Sequence, residues 1–144
     1  MLAEQVTILL VEDDEGHAML VEMNLRDAGI ANPIARATDG QAALDFVRSW
    51  VSTGKELTLL ILLDLNLPVV DGYGVLRTLK SDSQTRKIPI IVLTSTDDKR
   101  EIERCYELGC NIYVRKPIDY VSFVRAVNQL GGFLSIAELP GSQD

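Results

Sequence analysis

The heptapeptide LLDLNLP, Leu62 to Pro68, sets one carboxylate, Asp64, at the end of an apolar run that begins at Leu57. A run of Leu and Ile without polar alternation reads as a strand covered on both faces, which is the habit of a parallel sheet flanked by helices. A charge in that setting costs free energy unless something balances it. The fold of this stretch and the purpose of Asp64 are therefore one question.

Outward from it, strands are expected at Val6–Val11, Pro33–Ala37, Leu59–Leu63, Ile88–Leu93 and Ile112–Val114, with PIARA the weakest pattern of the five. Helical spacing lies between them. Ala18, Val21, Leu25 and Ala28 recur on one face and stop at Gly29. Asp39 precedes Ala42, Ala43, Phe46 and Val47 as a helix cap, and a helix over Gly72–Lys80 carries Val75, Leu76 and Leu79. Asp97 or Asp98 caps a segment with Ile102, Cys105 and Tyr106 that ends at Gly109, and Asp119 caps a last one with Phe123, Val127 and Leu130. WVSTGKE, Trp50 to Glu56, reads as a loop, with Trp50 packing at the helix end. Strand and helix alternating five times predict an α/β fold, a doubly wound five-stranded parallel sheet with helices on both faces. One domain over residues 1–130 and an extension over 131–144, apolar at first and disordered at its end, account for the 144 residues.

Composition narrows the function classes. Hydrophobic residues make up 47% and charged residues 24% of the chain, ordinary for a globular protein. A net charge of −7 argues against binding nucleic acid through its phosphates. No apolar run has the length to span a membrane, and MLAEQVTILLVEDD runs into acids without a basic leader, so a cytoplasmic protein is expected. Cys105 and Cys110 form no CxxC pair and His17, a surface residue on the first helix, is the only histidine; the cysteines read as half-buried thiols, not zinc ligands.

In open α/β sheets ligands bind beyond the carboxyl ends of the strands. Here those ends carry Glu12-Asp13-Asp14, Asp64, Thr94-Ser95 and, after the fifth strand, Lys116-Pro117. Up to four carboxylates sharing one site would raise each other's pKa and destabilise the fold, and a divalent cation removes that cost. All-oxygen ligands suit magnesium, calcium or manganese, and magnesium completes its shell with water and phosphate oxygens. Lys116 adds a positive point charge and Thr94 a hydroxyl, so the set is arranged for a phosphoryl group. Asp64, on the central strand, is the candidate nucleophile, because carboxylates form aspartyl phosphates.

Taken together, LLVEDDE, LLDLNLP, Asp71-Gly72, IIVLTS and YVRKP resemble the receiver domain of two-component response regulators from Thr7 to about Leu130. The resemblance implies a flavodoxin-like strand order 2-1-3-4-5. It implies Asp64 as phosphoacceptor, Asp13 as direct magnesium ligand with Glu12 helping through water, and the Asn66 main-chain carbonyl as a further ligand. It implies Thr94 as switch hydroxyl, Tyr113 as aromatic switch residue, Lys116 as the phosphate-contacting lysine, and a cis bond at Lys116–Pro117. Asn66 and Thr96 flank the site in the family pattern. LLDLNLP, YELGCNIYVRKP and FLSIAELP resemble the stand-alone regulators that partner phytochrome-type histidine kinases, although Phe133-Leu134 stands where that subfamily often has Phe-Trp. The implied partners are a sensor histidine kinase and a second copy of the chain, docked through the C-terminal region, with no nucleic acid and no membrane.

The expected mechanism is a switch: Asp64 is phosphorylated, Thr94 and Tyr113 move inward, and the face of the fourth helix, fifth strand and fifth helix changes its contacts. A phosphohydrolase with an aspartyl nucleophile needs a second Asp two places on, where this chain has Asn66. A constitutive binding module is the third reading, with all the acids, Thr94 and Lys116 against it. Singly, each residue has a plainer role: Asp13 and Asp14 as helix caps, Asp64 as a turn residue, Thr94 as strand-end packing, Lys116 as a solvated charge and Tyr113 as a core aromatic.

Overall fold

The computed structural model describes residues 6–55, 58–116, 121 and 125–126. Among these, five strands and four helices alternate: β1 Thr7–Val11, α1 Glu15–Asp27, β2 Ile34–Ala37, α2 Gly40–Val51, β3 Leu59–Asp64, α3 Gly72–Ser81, β4 Ile90–Thr94, α4 Lys99–Glu107 and β5 Ile112–Arg115. The sheet is parallel throughout, in the order β2-β1-β3-β4-β5. The expected last helix lies outside the described residues, apart from Val121, Arg125 and Ala126, as do the extension 131–144 and Pro117 with its expected cis bond.

Every residue of β3 and β4 is buried, as their unbroken apolar runs predict. Their side chains feed two cores. On one face, Ile8, Leu10, Leu60 and Leu62 pack with Ala18, Val21 and Leu25 of α1 and with Ala126. On the other, Leu9, Ile61, Leu63 and Val92 pack with α2, α3 and Cys105 of α4. Burying a Leu or Ile fully contributes about 1.5–3 kcal/mol, so these two layers dominate the stability.

Each helix starts at an aspartate. The side chains of Asp14, Asp39, Asp71 and Asp98 accept main-chain N–H bonds from His17, Ala42, Gly74 and Arg100, a cap contributing about 1 kcal/mol each. Asp98 rather than Asp97 caps α4; Asp97 pairs with Arg115 at 3.7 Å. Gly72 is required by a close approach: a Cβ there would lie 2.4 Å from Leu65 Cα, so only glycine lets α3 begin against the chain leaving Asp64.

Three expectations are corrected. The loop expected from Trp50 starts later, because α2 continues to Val51 with Trp50 stacked on Phe46, one turn back, at 5.8 Å. Strand β4 begins at Ile90 instead of Ile88, since Pro89 has no N–H to pair, and it extends to Thr94. Both cysteines are buried free thiols rather than half-buried ones.

Candidate functional site

Strand pairing assembles the site. Val11 lies beside Leu63 in the β1–β3 register, so the residues following both strands emerge together at the carboxyl edge of the sheet. Glu12 and Asp64 are buried, at 1% and 4% exposure, whereas Asp13 is exposed. One oxygen from each of the three lies within 4.8 Å of the others. They open onto a cleft of about 430 Å³ whose walls include Asn66, Ser95, Lys116 and, from α1, His17 and Leu20.

Lys116 reaches into this cluster from the end of β5. Its Nζ donates to Glu12 Oε1 at 2.8 Å and stands 3.2 Å from Asp64 Oδ2. Its main-chain N–H donates to the Thr94 carbonyl at 2.7 Å, which fixes the lysine's root at the end of β4. The remaining oxygen of each buried acid takes a local main-chain N–H: Glu12 Oε2 from Asp14, and Asp64 Oδ1 from Asn66, both at 3.2 Å. Both carboxylates are thus held in orientation by one shared lysine and one backbone donor each.

The charges do not cancel. Three carboxylates face one ammonium, which leaves two negative charges when all are ionised. Like charges about 4 Å apart repel by about 4 kcal/mol at an effective dielectric of 20. Burial pushes the Glu12 carboxyl up; Lys116 opposes that rise and Asp64 adds to it. Burial alone would lower the Lys116 ammonium, but its hydrogen bond to Glu12 and the charge of Asp64 outweigh it and hold it above its ordinary value. The lysine gains from the pairing while Glu12 retains a net penalty, as expected when one cation serves two acids. The donor set is three carboxylates, with a net charge of minus two once Lys116 is counted, and it fits a hard divalent cation.

Of the residues expected at the site, Glu12, Asp13, Asp64, Asn66 and Lys116 come together. Asp14 also lines the cleft but lies outside the three-acid cluster: it caps α1, and its bond from the His17 N–H lowers its carboxyl below the usual range. Thr94 is buried at the end of β4 and accepts from the Thr96 N–H at 3.1 Å; the neighbouring Ser95, rather than Thr94, lines the cleft. Tyr113 is half-buried on β5, edge-on to Tyr106 of α4 at 5.9 Å. Sequence reasoning missed Arg36 on β2. Its Nε and Nη2 donate to the Glu12 carbonyl at 3.1 and 2.8 Å, and its Nη1 donates to Glu15. Nothing in PIARA distinguishes that arginine from a solvated one.

A five-stranded doubly wound sheet with a lysine-bridged, partly buried acid cluster at its carboxyl edge defines a domain that handles a cation or an anion at that edge. Residues 8–128 match the response regulator receiver domain, and the chain belongs to that family. A receiver domain of Rhodospirillum rubrum is 44% identical, with 96% of this chain and all of that one covered at a TM-score of 0.73. The bacteriophytochrome response regulator AtBRR is 37% identical, covering 88% of this chain and 92% of its own, at a TM-score of 0.76. Response regulator Rcp1 of Synechocystis sp. is 33% identical over 137 residues, 94% of this chain and 93% of that protein; its Mn2+-bound form superposes at a TM-score of 0.70. The chain is therefore a two-component signalling domain, whose partner class is the histidine kinase, and it is similar to the regulators associated with phytochromes. No helix among the described residues is long and apolar enough to cross a membrane.

Proposed function

We propose that Asp64 accepts a phosphoryl group from the phosphohistidine of a phytochrome-type histidine kinase in the cytoplasm. The reading rests on one observation: Asp64 is buried at the end of β3 with one oxygen beside Lys116 and the other on the Asn66 N–H, next to Glu12 and Asp13. An Asp64 carboxylate oxygen attacks phosphorus, the phosphorus–nitrogen bond of phosphohistidine breaks, and the imidazole leaves with the electron pair. Glu12, Asp13, Asp64 and the main-chain carbonyl of Asn66 would hold Mg2+, which supplies charge neutralisation for the transferring group. The Mn2+-bound form of the similar Rcp1 supports a divalent cation in this role. Lys116, bonded to Glu12 in the resting protein, offers its ammonium to the new phosphoryl oxygens.

Thr94 acts as the switch hydroxyl. It exchanges its bond from the Thr96 N–H for one to the phosphoryl group, and Tyr113 turns from Tyr106 into the vacated space. The face of α4, β5 and the following helix then carries the signal through protein contacts. Residues 1–130 form the receiver, and residues 131–144 contribute to a homodimer. Deleting Phe133 onward should raise the monomer fraction in sedimentation; an unchanged profile would refute the dimer contact.

Intact mass after incubation with acetyl phosphate and Mg2+ tests the phosphoacceptor. One added phosphoryl group, removed by hydroxylamine and not acquired by Asp64→Asn, is expected. Undiminished labelling of that variant would remove Asp64 from the role.

A further inference from the structure

We infer that Arg36 is a positioning residue for the cation site: its guanidinium fork sets the peptide plane between Glu12 and Asp13, and so the directions in which both carboxylates point. This inference rests on the cation reading given above. Arg36 stands on β2 opposite Leu10, near the end of its pairing with β1. From there Nε and Nη2 converge on the single carbonyl oxygen of Glu12, at 3.1 and 2.8 Å. On the other side of the same residue, the Glu12 N–H donates to the Ala37 carbonyl at 3.0 Å. Both main-chain polar groups of Glu12 are therefore tied to β2. The third arm, Nη1, reaches Glu15 in the first turn of α1, so one side chain joins the edge strand, the acid-bearing turn and the helix start.

The Glu12 carbonyl and the Asp13 N–H lie in one rigid peptide plane. Two donors on that oxygen fix the rotation of the plane, which is the ψ of Glu12 and the φ of Asp13. Those two angles determine where a buried ligand, Glu12, and an exposed one, Asp13, meet. A lysine at position 36 keeps the charge but cannot present two N–H groups in fixed geometry.

Charge and geometry make opposite demands here. A cation beside an acid cluster weakens the binding of a second cation by Coulomb repulsion. If Arg36 acts only as a charge, its removal tightens Mg2+ and Ca2+ alike. If it sets geometry, its removal weakens Mg2+ more than Ca2+, because magnesium demands near-ideal octahedral placement and calcium tolerates irregular shells.

The test is calorimetric titration of the full chain, and of Arg36→Lys and Arg36→Gln, with Mg2+ and with Ca2+ at fixed pH and ionic strength. Both variants are expected to bind Mg2+ about tenfold more weakly, in line with the loss of a partner that orients a metal ligand. The ratio of Mg2+ to Ca2+ affinity should fall in both. General destabilisation leaves that ratio unchanged in the folded fraction, and so does a charge effect. Each variant decides alone, so the failure of one to fold leaves the other as the test. An unchanged ratio, or tighter Mg2+ binding by Arg36→Gln, overturns the positioning role while leaving the cation site intact. No Mg2+ binding by the unaltered chain sinks the cation site itself, and the inference with it.

Discussion

At the amino end of the sheet, Lys80 of α3 places its ammonium against three neutral oxygens: the carbonyls of Arg86 and Ile88 at 2.9 and 2.7 Å, and Asn111 Oδ1 at 3.1 Å. At the carboxyl end, Lys116 places the same group against two carboxylates. The two lysines shift in opposite directions. Burial pulls Lys80 down to about 8, because neutral acceptors satisfy its hydrogens without offsetting its desolvation. Lys116, also partly buried, is held above its ordinary value by Glu12 and Asp64. Three donors on three acceptors make the amino end a closed structure. The carboxyl end keeps surplus negative charge around a cleft, an arrangement that fits a bound cation.

The loops repeat the contrast. In three of the four described returns from helix to strand, the chain turns through positive φ at a glycine: Gly29, Gly54 and Gly109. On the carboxyl side, between β3 and α3, the residue with positive φ is Val69, at +70° and 78% exposed. A β-branched residue in the left-handed region is strained. The end that supports the sheet takes its positive-φ turns at glycines, and the end that carries the acids takes one at a strained valine.

Three substitutions would break or sharpen that comparison. Lys116→Met should have the largest effect on stability. It leaves Glu12 and Asp64 buried without their counter-charge, at a cost of about 3–5 kcal/mol. Mg2+ should restore part of the loss; a urea midpoint that falls and does not recover with Mg2+ would mean that the lysine, not the cation, is the main balance of the acids.

Lys80→Met should cost less, about 1–3 kcal/mol, by orphaning carbonyl oxygens, and should be indifferent to Mg2+. Its pH dependence has a definite sign. The folded pKa near 8 lies below the ordinary 10.5, so the unfolded chain holds the extra proton between those values. The contribution of Lys80 to stability is therefore complete above pH 10.5 and is lost as pH falls through 8. Urea unfolding at pH 7 and 9.5 should show the unaltered chain gaining on Lys80→Met at the higher pH; parallel behaviour would contradict the buried-ammonium account. Val69→Gly, the smallest effect, should stabilise by about 1 kcal/mol, the relief of strain exceeding the added chain entropy. A lower melting temperature would show that the valine is not strained.

How much of this was legible depends on whether a residue's partners lie on its own strand or across the fold. The acid cluster was readable because apolar runs mark strand ends, and parallel strands bring their ends together. Glu12, Asp13, Asp64 and Lys116 follow from that alone. The helix starts were readable because an aspartate cap bonds within its own turn. Arg36 was not, since its fork matters only once β2 lies beside β1, and β2 had the weakest pattern of all the strands. Lys80 reads as any surface lysine of an amphipathic helix until the chain before β4 and β5 folds over it. That Ser95 lines the cleft while Thr94 accepts the Thr96 N–H is a local arrangement that no periodicity reports.

The claim that the carboxyl end is completed by a cation is tested most directly by following the urea midpoint at pH 7 as Mg2+ is raised. A ligand that binds only the folded state stabilises it by RT ln(1 + [L]/Kd). The account predicts a midpoint that climbs logarithmically with Mg2+ in the unaltered chain and stays flat in Asp64→Asn. A midpoint insensitive to Mg2+, or one that climbs equally in Asp64→Asn, would contradict it.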